Sequence, residues 1–574
     1  MRFRSIRTII GTSRRNRSHE IEPDEIFLDA SNLPDFDESQ FEGRFERPFP
    51  KFTLVALSVV FALIASIGIG KVWTLQVNNG SIFAAISESN RLRHSIIFPK
   101  RGVIYDRNGT PLAWNEQASG ANDFPSRRYA ELSGVAHVVG YVNYPQKDRS
   151  GVYFQDTYLG RDGVELALND LFGGINGLKI VETNAIGEVQ SESVIEPPID
   201  GKNLTLSIDA RLSAELYKNI SDTVTERGFK AGAGVVMDVQ TGEIIALVSF
   251  PEYRSEILAE GKNTELIARY ITDDQKPFLN RIVSGLYAPG SVVKPFVAIG
   301  ALDQHVIDPS TIIVSTGSIK VPNPYVPGQY SVFNDWKAHG PVDMRRAIAY
   351  SSDVYFYEIG GGFENQRGLG IQNIAKYMKL FGIGEATGVD LPGEAEGTVP
   401  TPAWKARNFT DATWRIGDTY HTAIGQYGFQ VTPLEMVRGI AAIANGGSLV
   451  TPTVVMGKVA STTAIAISPD YFSVVQEGMR MAVEEGTASA LSLRGVRIAA
   501  KTGTAELGSQ KQYVNSWITG FFPYESPRYA FTIVMERGPS HNLVGAPYVA
   551  RQFFDWLTVN APEYSAKASS TPNH

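Results

Sequence analysis

The chain has 574 residues, of which 43% are apolar and 20% charged, and its formal net charge is −7. This length exceeds what one simple domain needs, so two or more domains are expected. The mild net charge gives no whole-chain nucleic-acid signature, and a cysteine count of 0 excludes thiolate catalysis, cysteine-ligated zinc and disulfides.

An uncharged apolar segment lies near the N-terminus, between Lys51 and Lys71. As a helix rising about 1.5 Å per residue, this segment would span about 28 Å, close to the thickness of a bilayer core. It has no amphipathic stripe, which favours a membrane span over a buried helix of a soluble protein. The preceding residues argue against a cleaved signal peptide. We expect residues 52–71 to form a single transmembrane helix.

Basic residues are concentrated on the N-terminal side of this segment. They are Arg2, Arg4, Arg7, Arg14, Arg15, Arg17, Arg44, Arg47 and Lys51. The positive-inside rule therefore predicts that residues 1–51 form a cytoplasmic tail, largely disordered because it is polar and charged. The remainder is expected outside the cytoplasm, on the periplasmic side of the cell membrane, with a second disordered tail at 561–574.

Residues 72–229 predict short strands and carry no catalytic motif. The turn at 107–109 predicts a hairpin, and a strand is expected to lead into a helix capped near Asp209. A glycine-bounded segment at 160–179 predicts one amphipathic helix. Its expected apolar side consists of Leu166, Leu168, Leu171 and Phe172. We interpret this region as a spacer or docking module.

From residue 230 onwards the pattern predicts a larger domain. A hairpin is expected at 240–242, then helices, then three further strands. The expected helices cover 291–303, 342–359, 371–381 and 433–445, and the late strands cover 497–506, 515–522 and 530–536. Strands at both ends with helices between them predict one sheet in an α+β or α/β/α domain.

The search for a nucleophile leads to Ser291 and Lys294, in the segment YAPGSVVKPF. The chain has no nucleophile-elbow, P-loop or zinc-protease motif. A Pro-Gly step predicts that Ser291 opens a helix, with Lys294 on the same face one turn along. A lysine there could take the serine proton, whereas the structural alternative is a serine that only caps the helix.

Two further motifs follow. Ser351-x-Asp353 precedes an apolar run, in a place suited to a helix end against the core. Lys501-Thr502-Gly503-Thr504 follows a predicted strand, where a glycine marks a close approach of another chain segment. A lysine and two hydroxyls there could bind a carboxylate. Taken singly, each could be a structural helix end or strand end.

In this order, the three motifs resemble those of the penicillin-recognising serine acyl transferases. The segments 101–109, 137–142, 160–165 and 204–212 are similar to the N-terminal module of the class B penicillin-binding proteins, monofunctional D,D-transpeptidases of cell-wall synthesis. The resemblance covers residues 71–560. Residues 351–360 resemble the elongation-type members, whereas 425–433 mix elongation and division features, so the elongation type is favoured.

The resemblance implies the fold and the domain boundaries. An elongated, mainly-β pedestal or dimerisation-like module is expected at 72–229. A transpeptidase domain of the serine β-lactamase type is expected at 230–560, with a five-stranded antiparallel sheet between helices.

The resemblance also implies the catalytic roles. Ser291 would attack the penultimate carbonyl of a peptidoglycan stem peptide ending in D-alanyl-D-alanine, with Lys294 as general base. Ser351 would relay the proton to the departing D-alanine. The charge of Lys501 would disfavour a second protonated lysine nearby. An amine from a neighbouring strand would then resolve the acyl-enzyme and form a cross-link, and penicillins would trap Ser291.

Substrate binding is implied for the remaining motif residues. Lys501, Thr502 and Thr504, with Gly503 between them, would hold the terminal carboxylate. The backbone N–H groups of Ser291 and Thr504 would form the oxyanion hole. Asp353 stands where the family more commonly has asparagine, which changes the donors offered to the substrate amide.

Three alternatives remain open. A β-lactamase would share the fold, and Glu165–Asn169 matches its Glu-x-x-Leu-Asn element, but that string precedes Ser291. A D,D-carboxypeptidase is the second alternative. The third is a scaffold that docks and activates a membrane glycan polymerase through residues 71–230.

The predicted partners are stem peptides, β-lactams, the membrane, a membrane glycan polymerase and other wall-synthesis proteins. No nucleic acid, metal site or cofactor is predicted.

Overall fold

The computed structural model describes residues 50–84, 92–117, 123–183, 189–323, 326–542 and 544–565. Nearly all of the predicted cytoplasmic tail, and residues 566–574 of the predicted C-terminal tail, lie outside these ranges. The chain divides into two compact units, residues 1–91 and 92–574.

In the first unit, helix α1 (Lys51–Trp73) continues into a π-helical turn (Thr74–Asn78). Together they form a helix of 28 residues that is long and apolar enough to cross a membrane. Its apolar side chains are exposed all round, for example Phe61 at 65% and Ile69 at 69%. A helix with no polar face is what a lipid-facing span requires.

The second unit begins with a module of short strands, as predicted. One sheet has four strands, in the order 204–205, 104–105, 111–116 and 126–129, and another has three strands, in the order 92–97, 177–183 and 189–196. The strands are β1 (Leu92–Ile97), β2 (Ile104–Tyr105), β3 (Pro111–Glu116), β4 (Ser126–Tyr129), β5 (Val142–Asn143), β6 (Gln146–Lys147), β7 (Tyr153–Gln155), β8 (Leu159–Gly160), β9 (Gly177–Thr183), β10 (Val189–Glu196) and β11 (Leu204–Thr205). The short helices are α2 (Ala136–Val139), α3 (Gly163–Ala167) and α4 (Asn169–Gly173).

The prediction of a single amphipathic helix at 160–179 is wrong. The chain forms two short helices, α3 and α4, with a break at Leu168, and Leu166 is 42% exposed. Val164, Phe172 and the carboxylate of Glu165 are buried instead. Ion pairs from Arg101 and Arg127 hold Glu165 in the interior. Buried arginines therefore set the orientation of this segment, and an apolar pattern does not reveal them.

The rest of the second unit contains the larger sheet. Its strands and smaller hairpins are β12 (Ala231–Asp238), β13 (Ile244–Phe250), β14 (Ile313–Ser315), β15 (Ser318–Pro322), β16 (Tyr330–Asn334), β17 (Gly340–Val342), β18 (Ser448–Val450), β19 (Thr462–Ala464), β20 (Ala499–Leu507), β21 (Tyr513–Phe522) and β22 (Tyr529–Pro539). The helices are α5 (Ala210–Arg227), α6 (Ser255–Glu260), α7 (Thr264–Thr272), α8 (Lys294–Asp303), α9 (Met344–Tyr350), α10 (Asp353–Gly361), α11 (Ile371–Leu380), α12 (Pro402–Asn408), α13 (Ile416–Ala423), α14 (Pro433–Ala444), α15 (Pro469–Glu484) and α16 (Ala546–Asn560).

The predicted sheet from both chain ends is confirmed. Five antiparallel strands have the order β13-β12-β22-β21-β20, so the strands of the first hairpin lie beside the last strands of the chain. Side chains alternate between the faces: Val235 joins the core with α14, whereas Val236 joins the core with α5 and α16. The sheet is therefore the middle of three layers.

Glycines in β12 let helix α5 approach the sheet. A Cβ added at Gly234 would lie 2.8 Å from Leu216 Cδ2, and one at Gly232 would lie 2.7 Å from Ile220 Cγ2. The predicted cap of α5 is present, since the Asp209 side chain accepts a hydrogen bond from the Arg211 N–H. This packing holds the sheet that carries Lys501.

The helical stretch predicted at 342–359 consists of two helices, α9 and α10, and Ser351 lies at a helix end, as predicted. Ser351 adopts a left-handed backbone (φ +59°) that ends α9. Ser352 then caps α10 by accepting a hydrogen bond from the Tyr355 N–H. The break turns Ser351 toward the cleft.

Candidate active site

Ser291 lies in a 3₁₀ turn (Gly290–Val293) that leads into α8, so the predicted helix start is confirmed. Gly290 has φ +57°, and a Cβ there would lie only 2.7 Å from the Thr504 carbonyl oxygen. The Gly290 N–H donates to the Gly425 carbonyl at 2.9 Å. The turn before the serine is thus held between strand β20 and the loop at residue 425, which fixes Ser291 beside β20.

Strand β20 is the edge strand of the sheet and carries Lys501–Thr504. A Cβ at Gly503 would lie 2.8 Å from the Pro289 carbonyl oxygen, so the expected close approach at this glycine is found. Trp517 on the adjacent strand donates its indole N–H to the Ala288 carbonyl at 3.0 Å. These contacts fix the position of the serine turn relative to the strand.

Lys294 is completely buried, and its ammonium group contacts the second motif. It donates to the Ser351 carbonyl at 2.8 Å, to the Ser351 hydroxyl at 3.3 Å and to Asp353 Oδ1 at 2.6 Å. The first two motifs, sixty residues apart in the chain (351 − 291), are therefore joined through one lysine side chain.

Lys501 is also completely buried, and its Nζ donates to the Thr502 carbonyl at 2.9 Å. Burial lowers the pKa of Lys501 well below its ordinary value, the charge of Lys294 lowers it further, and the charge of Asp353 opposes both effects. The two lysines are therefore close enough to repel one another.

Asp335 is a buried group that the sequence motifs did not indicate. Its carboxylate accepts hydrogen bonds from the Ser352 hydroxyl at 2.8 Å and the Val354 N–H at 3.0 Å. Burial would raise the pKa of Asp335, but the Val354 and Asp353 amides, the Ser352 hydroxyl and the charge of Lys294 lower it. Asp335 thus fixes the start of α10, on which Asp353 stands.

A cleft of about 1090 Å³ opens above these residues. Of the predicted site residues, those that line it are Ser291, Ser351, Asp353, Thr502, Gly503 and Thr504. Residues lining it that motif reasoning missed include Phe333, Asp335, Trp336, Tyr357, His421, Tyr427, Thr487, Glu506 and Lys511. Lys294 and Lys501 are buried behind these lining residues, Lys294 in contact with Ser351 and Asp353, and Lys501 in contact with Thr502. The missed residues come from separate loops and have no common spacing, so only the fold brings them together.

Glu165, the residue that matches a β-lactamase motif, lies elsewhere. It is buried in the N-terminal module between Arg101, whose Nε donates at 2.6 Å, and Arg127, whose Nε donates at 2.8 Å. It does not line the cleft and has a structural role.

A smaller cavity of about 310 Å³ lies where the N-terminal module meets the transpeptidase-like sheet. Its wall includes Glu252, which accepts hydrogen bonds from the Gly134 N–H at 2.7 Å and the Ala136 N–H at 3.2 Å. Burial raises the pKa of Glu252 to about 7. No residue of the three motifs lines this cavity.

Within the described ranges, no group of three or more histidine, aspartate or glutamate side chains is arranged to hold a metal ion.

Ser291 thus lies near two buried lysines at the edge of an antiparallel sheet. The sequence that forms this site matches a known family. Residues 232–555 match the family model of the penicillin-binding protein transpeptidase domain, and residues 119–206 match that of the penicillin-binding protein dimerisation domain. The first match covers more than half of the chain, so the chain belongs to the penicillin-binding protein transpeptidases.

Individual relatives support this assignment. The peptidoglycan D,D-transpeptidase MrdA of Acinetobacter baumannii is 29% identical, and the alignment covers 84% of each chain. The PBP2 in a complex with MreC from Helicobacter pylori is 28% identical with a TM-score of 0.68, covering 82% of this chain and 99% of that one. A peptidoglycan synthase complex described as coordinating polymerization and crosslinking is 26% identical with a TM-score of 0.69, covering 91% of this chain and 100% of that one. The predicted class B family, with the elongation type favoured, is confirmed.

Proposed function

We propose that the chain is a membrane-anchored, elongation-type peptidoglycan D,D-transpeptidase that works through an acyl-enzyme on Ser291. The observation that carries the proposal is the placement of Ser291 beside Thr504, above two buried lysines. That placement gives a nucleophile, a proton acceptor and an anion-binding strand in one cleft.

In the acylation step, the Ser291 Oγ forms a bond with the carbonyl carbon of the penultimate D-alanine. Its proton passes to Lys294, the general base. The C–N bond breaks, and the leaving D-alanine amine receives the proton through Ser351, whose hydroxyl lies 3.3 Å from Lys294 Nζ. An amine from a second stem peptide then attacks the ester, releases Ser291 and forms the cross-link.

The terminal carboxylate of the donor peptide binds at Lys501, Thr502 and Thr504. Backbone N–H groups of Ser291 and Thr504 stabilise the oxyanion, and the tight contact between Gly290 and the Thr504 carbonyl supports this pairing. Asp353, in a helix next to the cleft, holds Lys294 by an ion pair of 2.6 Å.

The proposed location follows from the apolar helix and the basic residues before it. The N-terminus is cytoplasmic, helix α1 spans the cell membrane, and the catalytic unit lies outside the cytoplasm. The proposed partners are a membrane glycan polymerase and other wall-synthesis proteins. In support, the Helicobacter pylori PBP2 forms a complex with MreC, and the second related structure is a peptidoglycan synthase complex that coordinates polymerization and crosslinking.

The test uses the full-length chain in liposomes with a glycan polymerase and lipid-linked pentapeptide precursor. We expect release of D-alanine and cross-linked muropeptides, both lost in Ser291→Ala while polymer synthesis continues. Cross-linking that persists in Ser291→Ala would contradict the proposal. Polymer stimulation by a wild-type chain that never releases D-alanine would instead support the scaffold.

A further inference from the structure

His421 lies on the last turn of α13 and lines the cleft that contains Ser291. It is the only histidine among the described residues that line this cleft. The Phe333 ring packs against the imidazole, with 5.6 Å between ring centroids, and the His421 carbonyl accepts a hydrogen bond from the Gln426 N–H at 2.9 Å. The acyl-transfer mechanism derived above makes no use of the imidazole.

The loop that follows α13 ties His421 to the turn that carries the nucleophile. The Gly425 carbonyl accepts the Gly290 N–H at 2.9 Å, and a Cβ added at Gly425 would lie 2.2 Å from the Gly290 carbonyl oxygen. Gly290 also contacts the Thr504 carbonyl of β20. The Ser291 turn therefore lies between β20, where the donor peptide is proposed to bind, and the loop at the end of α13.

In the proposed function, on which this inference rests, the acceptor is an amine that arrives as an ammonium ion. During acylation, the Ser291 proton reaches the departing D-alanine through Lys294 and Ser351, so this relay keeps no extra proton. The acceptor must lose one proton before its nitrogen can attack the ester, and a second proton when the amide forms. The second proton returns to the Ser291 oxygen through the relay, whereas the first requires another base.

The carboxylates that line the cleft already have partners. Asp353 accepts a hydrogen bond from Lys294 at 2.6 Å, and Glu506 forms an ion pair of 2.5 Å with a lysine of the same hairpin. Asp335 accepts hydrogen bonds from the start of α10. Within the described part of the chain, the ring nitrogens of His421 form no hydrogen bond. The imidazole is therefore available to a ligand in the cleft.

The surroundings of His421 keep its imidazole neutral. Burial lowers the pKa of His421 below its ordinary value. The charge of Asp418 on α13 opposes this effect, the charge of Lys511 on the β20–β21 hairpin adds to it, and the charge of Asp353 on α10 opposes it. A neutral imidazole can accept a proton at neutral pH.

We propose that the His421 imidazole is the general base for the acceptor amine. It takes one proton from the acceptor ammonium, and the neutral nitrogen then bonds to the acyl carbon while the ester C–O bond to Ser291 breaks. A second nitrogen proton passes to the Ser291 oxygen. His421 gives its proton to water, and the released D-alanine amine takes one up from water, so the cycle is balanced.

The test measures how fast the full-length chain, in detergent micelles at neutral pH, transfers an acyl-D-alanyl thioester donor to two acceptors. The thioester acylates Ser291 quickly, so the step with the acceptor limits the rate. D-Methionine carries an ammonium group at this pH, whereas hydroxylamine is neutral and needs no base. We expect His421→Gln to slow transfer to D-methionine by about 100-fold and to leave transfer to hydroxylamine unchanged.

The pH dependence separates a base from a structural residue. The deficit of His421→Gln with D-methionine should shrink as the pH rises, because more of the acceptor amine is then neutral. In His421→Ala, added imidazole should restore transfer to D-methionine, since it supplies the missing base. His94→Gln changes an exposed histidine on β1 and should leave both transfer rates unchanged. Penicillin acylation, which has no acceptor, checks that the fold and Ser291 are intact in each variant.

Equal losses with D-methionine and hydroxylamine in folded His421→Gln would overturn the inference, because a base is needed for only one of them. Normal transfer to D-methionine in this variant would overturn it as well. A wild-type chain that is acylated by penicillin and by the thioester but transfers to neither acceptor would instead overturn the proposed transpeptidase function.

Discussion

The N-terminal module buries Arg101 and Arg127 around Glu165, whereas the cleft buries Lys294 and Lys501 with Asp353 as the nearby carboxylate. In each cluster, two buried cations lie near a carboxylate. In the module, one fully buried carboxylate binds both guanidinium groups. At the cleft, Asp353 binds Lys294 alone, and the Lys501 ammonium donates to a backbone carbonyl.

This difference shows which buried charges stabilise the fold and which take part in the reaction. Arginine stays protonated at any ordinary pH, so a buried arginine pair is a permanent structural link. Lysine can lose its proton when it is buried beside another cation. Two buried cations therefore form a structural cluster in the N-terminal module and an acid–base site at the cleft.

The largest stability effect is expected from Glu165→Gln. It leaves two buried arginines without their carboxylate, so unfolding free energy should fall by about 3–5 kcal/mol in urea titrations. Penicillin acylation of the remaining folded protein should keep its rate. Glu116→Gln is the matched control, because Glu116 pairs with Arg128 at 2.7 Å on the surface and should cost about 1 kcal/mol or less.

Lys501→Met should slow acylation without lowering stability, which is the reverse of the effect expected for Glu165→Gln. We expect penicillin acylation to slow by roughly 10²- to 10³-fold, because a preorganised cation beside the reacting group is lost. Thermal unfolding should occur at the same temperature or higher, since an uncompensated buried charge is removed. Lys376→Met, on an exposed face of α11, should leave the rate unchanged. Strong destabilisation by Lys501→Met with normal acylation would erase the contrast between the two clusters.

Glu252 extends the comparison to a buried carboxylate bound by backbone amides. Its pKa is raised from 4.5 to about 7, so the folded state binds more protons than the unfolded state between these values. Its stabilising contribution is complete below pH 4.5 and is lost as the pH rises through 7. It amounts to at most about 3 kcal/mol. In Glu252→Gln, the unfolding free energy should vary less with pH between 4.5 and about 7. An unchanged pH dependence of the unfolding free energy would contradict the raised pKa of Glu252.

The last expected effect is a displacement of the pH profile of acylation in Asp353→Asn. Asp353 raises the pKa of Lys501, so its removal lets that pKa fall further. Protonated Lys501 binds the carboxylate in the proposed mechanism. The alkaline limb of the pH profile of penicillin acylation should therefore move to lower pH in the variant. A stopped-flow pH profile measures this shift. Movement of the alkaline limb to higher pH would contradict the claim that Asp353 raises the pKa of Lys501.

Much of the fold could be predicted because it follows from local patterns. The apolar run of α1, the hairpin between β12 and β13, and the late strands each carry their own periodicity. The three motifs likewise identify Ser291, Lys294, Asp353 and Lys501 without a structure.

What could not be predicted depends on contacts between distant segments. Asp335 and Thr487 reach the cleft from separate loops, and nothing in their immediate sequence distinguishes them. The break at Ser351 needs a left-handed serine, which helix patterns do not indicate. The prediction of one helix at 160–179 was wrong because buried arginines determine the orientation of this segment. They are Arg127 from β4 and Arg101 from the loop between β1 and β2.

The most direct test is to incubate the full-length chain with a penicillin and map the adduct by mass spectrometry. The account predicts one stable acyl adduct on the peptide that contains Ser291, absent in Ser291→Ala and formed at a normal rate in Glu165→Gln. An adduct on another residue, or folded protein that hydrolyses the drug or ignores it, would contradict the central claim that the buried lysines of the cleft serve Ser291.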